Sequence, residues 1–185
     1  MEPTKAAKFK NFTEVVRMDQ TNADLLLECS QKIIGLLCSS EEIAKLLLDD
    51  PQATANDLID DSGNIRHIFD YDYVDESTQE VATFICVEVT LPQEAAGNIR
   101  NIEAAVQVVS HKSHMRLDGA LFPGADYSRR DAIVRHIDLL LGGRTDFGIG
   151  KLTLLSIEKT ELPAKYTGKT LRYSVSVFGK SRRHA

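Results

Sequence analysis

The chain has 185 residues, of which 43% are hydrophobic, 26% charged and 6% aromatic, and its formal net charge is −5. That length favours one compact domain with appendages over two full domains, and the apolar content excludes a wholly disordered chain. The longest apolar stretches, Leu25–Leu27 and Ile33–Cys38, are far shorter than the roughly 20 residues that span a bilayer, and the opening MEPTKAAKFK lacks the apolar core of a secretory signal.

Residues 1–21 show no clear periodicity and read as an N-terminal arm. From Asn22 a helical pattern begins, with Leu25, Leu26, Cys29, Ile33, Leu36 and Leu37 recurring at three- and four-residue steps. Ser39 and Ser40 interrupt it. Ser40 suits the cap of a second helix, because Glu41 and Glu42 follow in the first turn and complement the helix dipole. Ile43, Leu46 and Leu47 form its apolar stripe, and Pro51 stops it. Residues 22–50 are thus expected to form a helical hairpin. Residues 52–80 form an acidic, weakly periodic connector.

The second half changes character. Val81–Leu91 is rich in β-branched and aromatic residues and reads as an inner strand. Ile102–His111 is a second strand, and residues 112–127 form a loop with two glycines and a proline. Ser128–Leu141 reads as a helix striped by Ile133, Val134, Ile137, Leu140 and Leu141, closed by Gly142 and Gly143. Lys151–Thr160 is a third strand. Lys169–Phe178 is a fourth, in which Leu171, Tyr173, Val175 and Val177 alternate with Arg172, Ser174 and Ser176. The expected fold is α+β: a mostly antiparallel four-stranded sheet with helices packed on one face, preceded by the helical hairpin. Residues 22–185 make one domain, with sheet and helix over 81–178 and a basic tail at 179–185.

Charge is distributed unevenly. Glu41–Glu80 holds twelve acids against Lys45 and Arg66, a net of −10, whereas the chain from Gly168 onward has five bases and no acid. One reading is a solvated acidic loop and a frayed basic tail. The other is that opposite-signed surfaces meet between copies of the chain in a head-to-tail contact. Overall acidity argues against a general DNA-binding protein.

The chemical motifs are weak. Gly142–Lys151 superficially resembles a phosphate loop, but Lys151 is followed by Leu152, and the stretch joins a helix to a strand rather than a strand to a helix. Gly148 and Gly150 read instead as structural glycines of a tight connection. His111 and His114 lack a ligand set that would complete a metal site, and polar histidines at a strand end are the simpler reading. Cys29, Cys38 and Cys86 read as buried reduced thiols of a cytoplasmic protein. Phe69, Tyr71 and Tyr73 alternate with acids, which suits an edge strand used for interaction. No cofactor, metal or catalytic group is implied.

Three stretches, HIFDYDYVDESTQEVATFICVEV (67–89), VQVVSHKSHM (106–115) and RRDAIVRHIDLLLGGRTDFGIGKLTLLS (129–156), are followed by KYTGKTLRYSVSVFG. Together they resemble neck proteins of tailed bacteriophages, of the tail-terminator or head-to-tail joining type. The likeness covers roughly residues 67–178 and lies in glycine spacing and packing rather than chemistry. It implies a non-enzymatic virion subunit forming a ring, commonly sixfold, with tail-tube and head-connector proteins as partners and DNA passing through without sequence-specific binding. The expected subunit interface comprises Leu117, Leu121, Phe122, Arg129, Arg130, Arg182 and Arg183, facing acids such as Asp70 and Asp72. The competing expectations are a small regulatory or binding protein acting as monomer or dimer, and an enzyme whose site is assembled from scattered residues.

Overall fold

The computed structural model describes residues 21–92, 99–119, 122 and 126–178. Three helices, α1 (Asn22–Cys38), α2 (Glu41–Leu48) and α3 (Arg129–Leu141), accompany five strands: β1 (Ile68–Phe69), β2 (Thr83–Thr90), β3 (Ile99–His111), β4 (Ile149–Thr160) and β5 (Tyr166–Phe178). The sheet order is β1-β2-β3-β5-β4. Every neighbouring pair is antiparallel except β1 with β2. The α+β class is as expected, with one more strand. A two-residue strand is too short to show alternation, and β1 exists because β2 offers its edge to Ile68 and Phe69.

The helices start where their sequence supplies caps. Thr21 Oγ1 accepts from the Asp24 amide at 3.2 Å, while the Asp24 carboxylate accepts from the Thr21 amide at 2.6 Å, a reciprocal capping box. Ser40 accepts from the Ile43 amide at 3.3 Å, and Ser128 accepts from the Asp131 amide at 3.2 Å. α2 ends at Asp49, whose φ of 57° is left-handed, and Gly143 takes the same region after α3 at 75°.

One main core lies between helices and sheet. Cys29, Ile33 and Leu37 of α1, Ile43 and Leu47 of α2, and Ile133, Ile137 and Leu141 of α3 meet alternate residues of the strands. On β3 these are Ile102, Ala104, Val106 and Val108; on β5 they are Leu171, Tyr173, Val175 and Val177. Alternation sends their neighbours to the opposite face. There a smaller cluster of Phe84, Val109 and Tyr166 packs with Phe69, Tyr73 and Leu162, so one end of the sheet is covered on both sides. Among the described residues, no helix covers the rest of that face.

Candidate functional site

The uncovered sheet face holds a groove of about 430 Å³. Cross-strand register builds its floor. Glu88 of β2, Ala105 of β3 and Arg172 of β5 are successive partners in one row, and Cys86, Gln107 and Thr170 form the next. Asp70, Tyr71 and Asp72, which follow β1 directly, form one rim. An aromatic brace holds that rim in place: Phe69 and Tyr73 stack at 4.2 Å with 6° between their planes, and Tyr73 meets Phe84 at 4.7 Å. The Tyr73 hydroxyl donates to Glu80 at 2.8 Å, which pushes its pKa up to about 12.

Asp70, Tyr71, Asp72 and Glu88 are all exposed. Arg172 Nε lies 3.9 Å from the Glu158 carboxylate, so the arginine on the floor has a counter-charge. Asp70, Asp72 and Glu88 enter no ion pair among the described residues. The groove is therefore negative, which attracts basic side chains and repels phosphate. Asp70 and Asp72 were legible as interface candidates from the acidic run. Glu88, Arg172 and Glu158 were not, because only strand register brings them together.

A second polar constellation is buried. Arg129, the first residue of α3, is 0% exposed. Its Nε donates to the His114 carbonyl at 2.8 Å, Nη1 to the Leu46 carbonyl at 2.7 Å, and Nη2 to the Arg116 carbonyl at 3.3 Å and to the Asp49 carboxylate. The expectation that Arg129 forms an exposed subunit contact is thus corrected. A guanidinium with five donors is the side chain suited to joining α2, the 112–119 loop and α3 at one point. Arg130 is also largely committed within the chain, donating to Thr167 Oγ1 at 2.8 Å and approaching Asp131 at 3.1 Å.

His114 extends this cluster. Its Nδ1 lies 3.0 Å from Thr83 Oγ1, which in turn lies 3.0 Å from Ser110 Oγ, and its Nε2 lies 3.9 Å from Asp49. A hydroxyl, an imidazole and a carboxylate in a row invite a nucleophile reading. However, Thr83 and Ser110 are fully buried, and the histidine–carboxylate distance exceeds a hydrogen bond. The row satisfies buried hydroxyls and pins the loop after β3. His67 donates from Nδ1 to the Thr83 carbonyl at 3.2 Å. Burial depresses the pKa of both His67 and His114.

Other sequence candidates fall in separate places. Leu117 and Phe122 are partly buried and pack against the main core. Leu121, Arg182 and Arg183 lie outside the described residues. Gly150 has φ of 87°, and a Cβ on Gly148 would collide with the Ser176 carbonyl oxygen and sit 3.0 Å from Val177 Cγ1. Cys29 and Cys86 are buried and Cys38 half-buried; desolvation pushes the Cys29 and Cys38 thiols up to about 11. Among the described residues no group of three or more His, Cys, Asp or Glu is placed to hold a metal ion, and no helix is long and apolar enough to cross a membrane.

The molecule so defined is an α+β protein whose helices cover one sheet face and whose other face carries an acid-rimmed groove. A family model, YomW, matches residues 40–175, so the chain belongs to the YomW family, a phage-associated family. The match runs from the cap of α2 almost to the end of β5. No curated protein matches the chain.

Proposed function

We propose that this protein is a non-enzymatic structural subunit of a phage virion neck, forming a head-to-tail ring that terminates the tail tube and joins it to the head connector while DNA passes. The observation that carries the reading is membership of a phage-associated family across most of the chain. The charge split supports it, because a head-to-tail contact needs two different and complementary surfaces on each copy. The proposed partners are further copies of the chain, together with tail-tube and head-connector proteins.

A stop codon early in the gene tests this reading in the phage that carries it. The expected result, by electron microscopy of the lysate, is filled heads separated from tails of irregular length, with complementation in trans restoring joined particles. Normal particle yield and tail length without the protein, or its absence from purified wild-type virions by mass spectrometry, would overturn the proposal.

A further inference from the structure

We propose that two copies of the chain pack their open sheet faces together, turned end for end, so that Phe178 and Ile99 of each seat in the groove of the other. Phe178 and Ile99 are direct cross-strand partners, and both are exposed. Strand alternation puts them on the face opposite the helices, since Val177 and Ile102 point into the main core. The groove opens on that same face, with Ala105, Gln107 and Thr170 in its floor and Tyr71 as an exposed aromatic wall. Asp70 and Asp72 stand on the rim, so an entering ring meets Tyr71 and small side chains while those carboxylates keep their water. At about 430 Å³ the groove is in the size range of pockets that enclose small molecules, and an aromatic anchor in such a pocket carries much of the affinity of a tight interface.

The sheet itself makes the contact intermolecular. Ile99 lies six residues from Ala105 on β3, and Phe178 lies eight from Thr170 on β5. At about 3.3 Å per residue these separations are about 20–26 Å. Both ends of each are fixed within one strand and no side chain spans the gap, so the groove takes these residues only from another copy. Anchor and groove share one face. Two faces opposed with strands antiparallel therefore place anchor over groove twice, whereas opposed parallel strands would set anchor against anchor and leave both grooves empty. The pair is isologous. Its area suffices: β3 spans 13 residues, about 43 Å, and four strands about 4.8 Å apart cover about 19 Å. The product, about 800 Å² per copy, is what each partner buries in an interface of standard size. Glu103 lies midway between Ile99 and Gln107 on the same face, so the two-fold axis brings the Glu103 carboxylates of both copies together. A closed pair is not the repeating contact of a ring, so it stands or falls separately from that reading.

Sedimentation velocity on the full chain tests the pairing. Ala105→Phe fills the groove from its floor and should weaken dimerisation at least tenfold. If that variant melts early, Tyr71→Ser alters an exposed wall residue instead and should also weaken the dimer. Glu103→Gln should have the opposite effect and tighten the dimer about threefold, because it removes a like-charge contact at the axis. Cross-linking reads the same axis directly. Glu103→Cys treated with a short bismaleimide should be joined to a second copy, while Leu139→Cys, exposed on α3 on the far side of the sheet, should stay single, with the wild type as the blank for its own cysteines. A wild type that is monomeric at every concentration, unchanged association in the groove variants, a weaker dimer in Glu103→Gln, or equal linking of the two cysteine variants would each overturn the pairing. None of these results bears on whether virions contain the protein, which decides the ring reading.

Discussion

A buried guanidinium is tolerable only when its donors find oxygen, and Arg129 meets that condition with three carbonyls and one carboxylate from two separate segments. Removing the side chain leaves the carbonyls of Leu46, His114 and Arg116 without this donor and Asp49 without its partner. Arg129→Ala should therefore lower the unfolding free energy by about 3 kcal/mol, read as a shift in urea midpoint at unchanged slope. Arg129→Lys should recover little, because one ammonium cannot span the directions the guanidinium serves. A loss below about 0.5 kcal/mol for the alanine variant would refute this account.

The same region gives a pH dependence whose sign is fixed. Burial is the largest cause holding His67, His114 and His136 below the ordinary histidine value of 6.5; for His114 the Arg129 charge adds to it, while Asp49 opposes. The unfolded chain then takes up protons before the folded chain does. Stability from these groups is fully present above about pH 6.5 and is lost as pH falls through the unfolded value toward the lower folded ones. Urea midpoints should decline from about pH 7 to about pH 5, above the range where most carboxylates titrate. His67→Asn should flatten the decline, and asparagine is the suitable replacement because residue 67 has φ of 66°. A flat wild-type profile would contradict the assignment.

At the scale of elements, the turn into β4 contains two glycines required for different reasons. Gly150 sits at φ of 87° with open space around its missing Cβ, so its constraint is backbone angle alone. Gly148 faces the Ser176 carbonyl, so its constraint is contact. Gly150→Ala should cost about 1–2 kcal/mol, whereas Gly148→Ala should cost more, because β5 must move to admit the methyl group. Thermal melts of the two variants check the order; equal losses would remove the distinction. Both glycines could be picked out from their place between an apolar helix stripe and a strand, but their separate roles needed the position of β5.

That contrast runs through the whole fold. Helix caps at Ser40 and Ser128 and the alternation of Leu171, Tyr173, Val175 and Val177 are local signals, and the elements they mark form close to the expected places. β1 is set by tertiary pairing, so nothing within Ile68 and Phe69 announces a parallel partner for β2. The burial of Arg129 is of the same kind. A charged residue at the start of a helix reads as solvated unless the carbonyls awaiting it, from residues as distant as Leu46, are known. Half of the groove was hidden for this reason too, since Glu88 and Arg172 meet only through β3.

For the whole molecule, charge alone is a weak source of affinity, because an exposed ion pair contributes about 0–1 kcal/mol and is screened by salt. Apolar burial must supply most of the association, and one patch lies at the end of β5. Ile99 and Phe178 are direct cross-strand partners at 55% and 68% exposure, and Ile149, paired with Ser176 one strand over, is 39% exposed. All three lie on the sheet face opposite the helices, beyond the reach of the small aromatic cluster at the other end. Covering a phenylalanine contributes roughly 1.5–3 kcal/mol, more than the ion pairs near it. Phe178→Ser combined with Ile99→Thr should therefore weaken self-association by about thirtyfold or more while leaving the melting temperature nearly unchanged, since neither side chain is in the core. The two kinds of variant should also differ in their response to salt. The apolar variant should associate weakly yet keep the wild-type dependence on NaCl, whereas reversal of Asp70 and Asp72 should abolish that dependence. Sedimentation across protein and salt concentration separates the two contributions. An apolar variant that associates as tightly as the wild type would move the affinity to another face of the molecule.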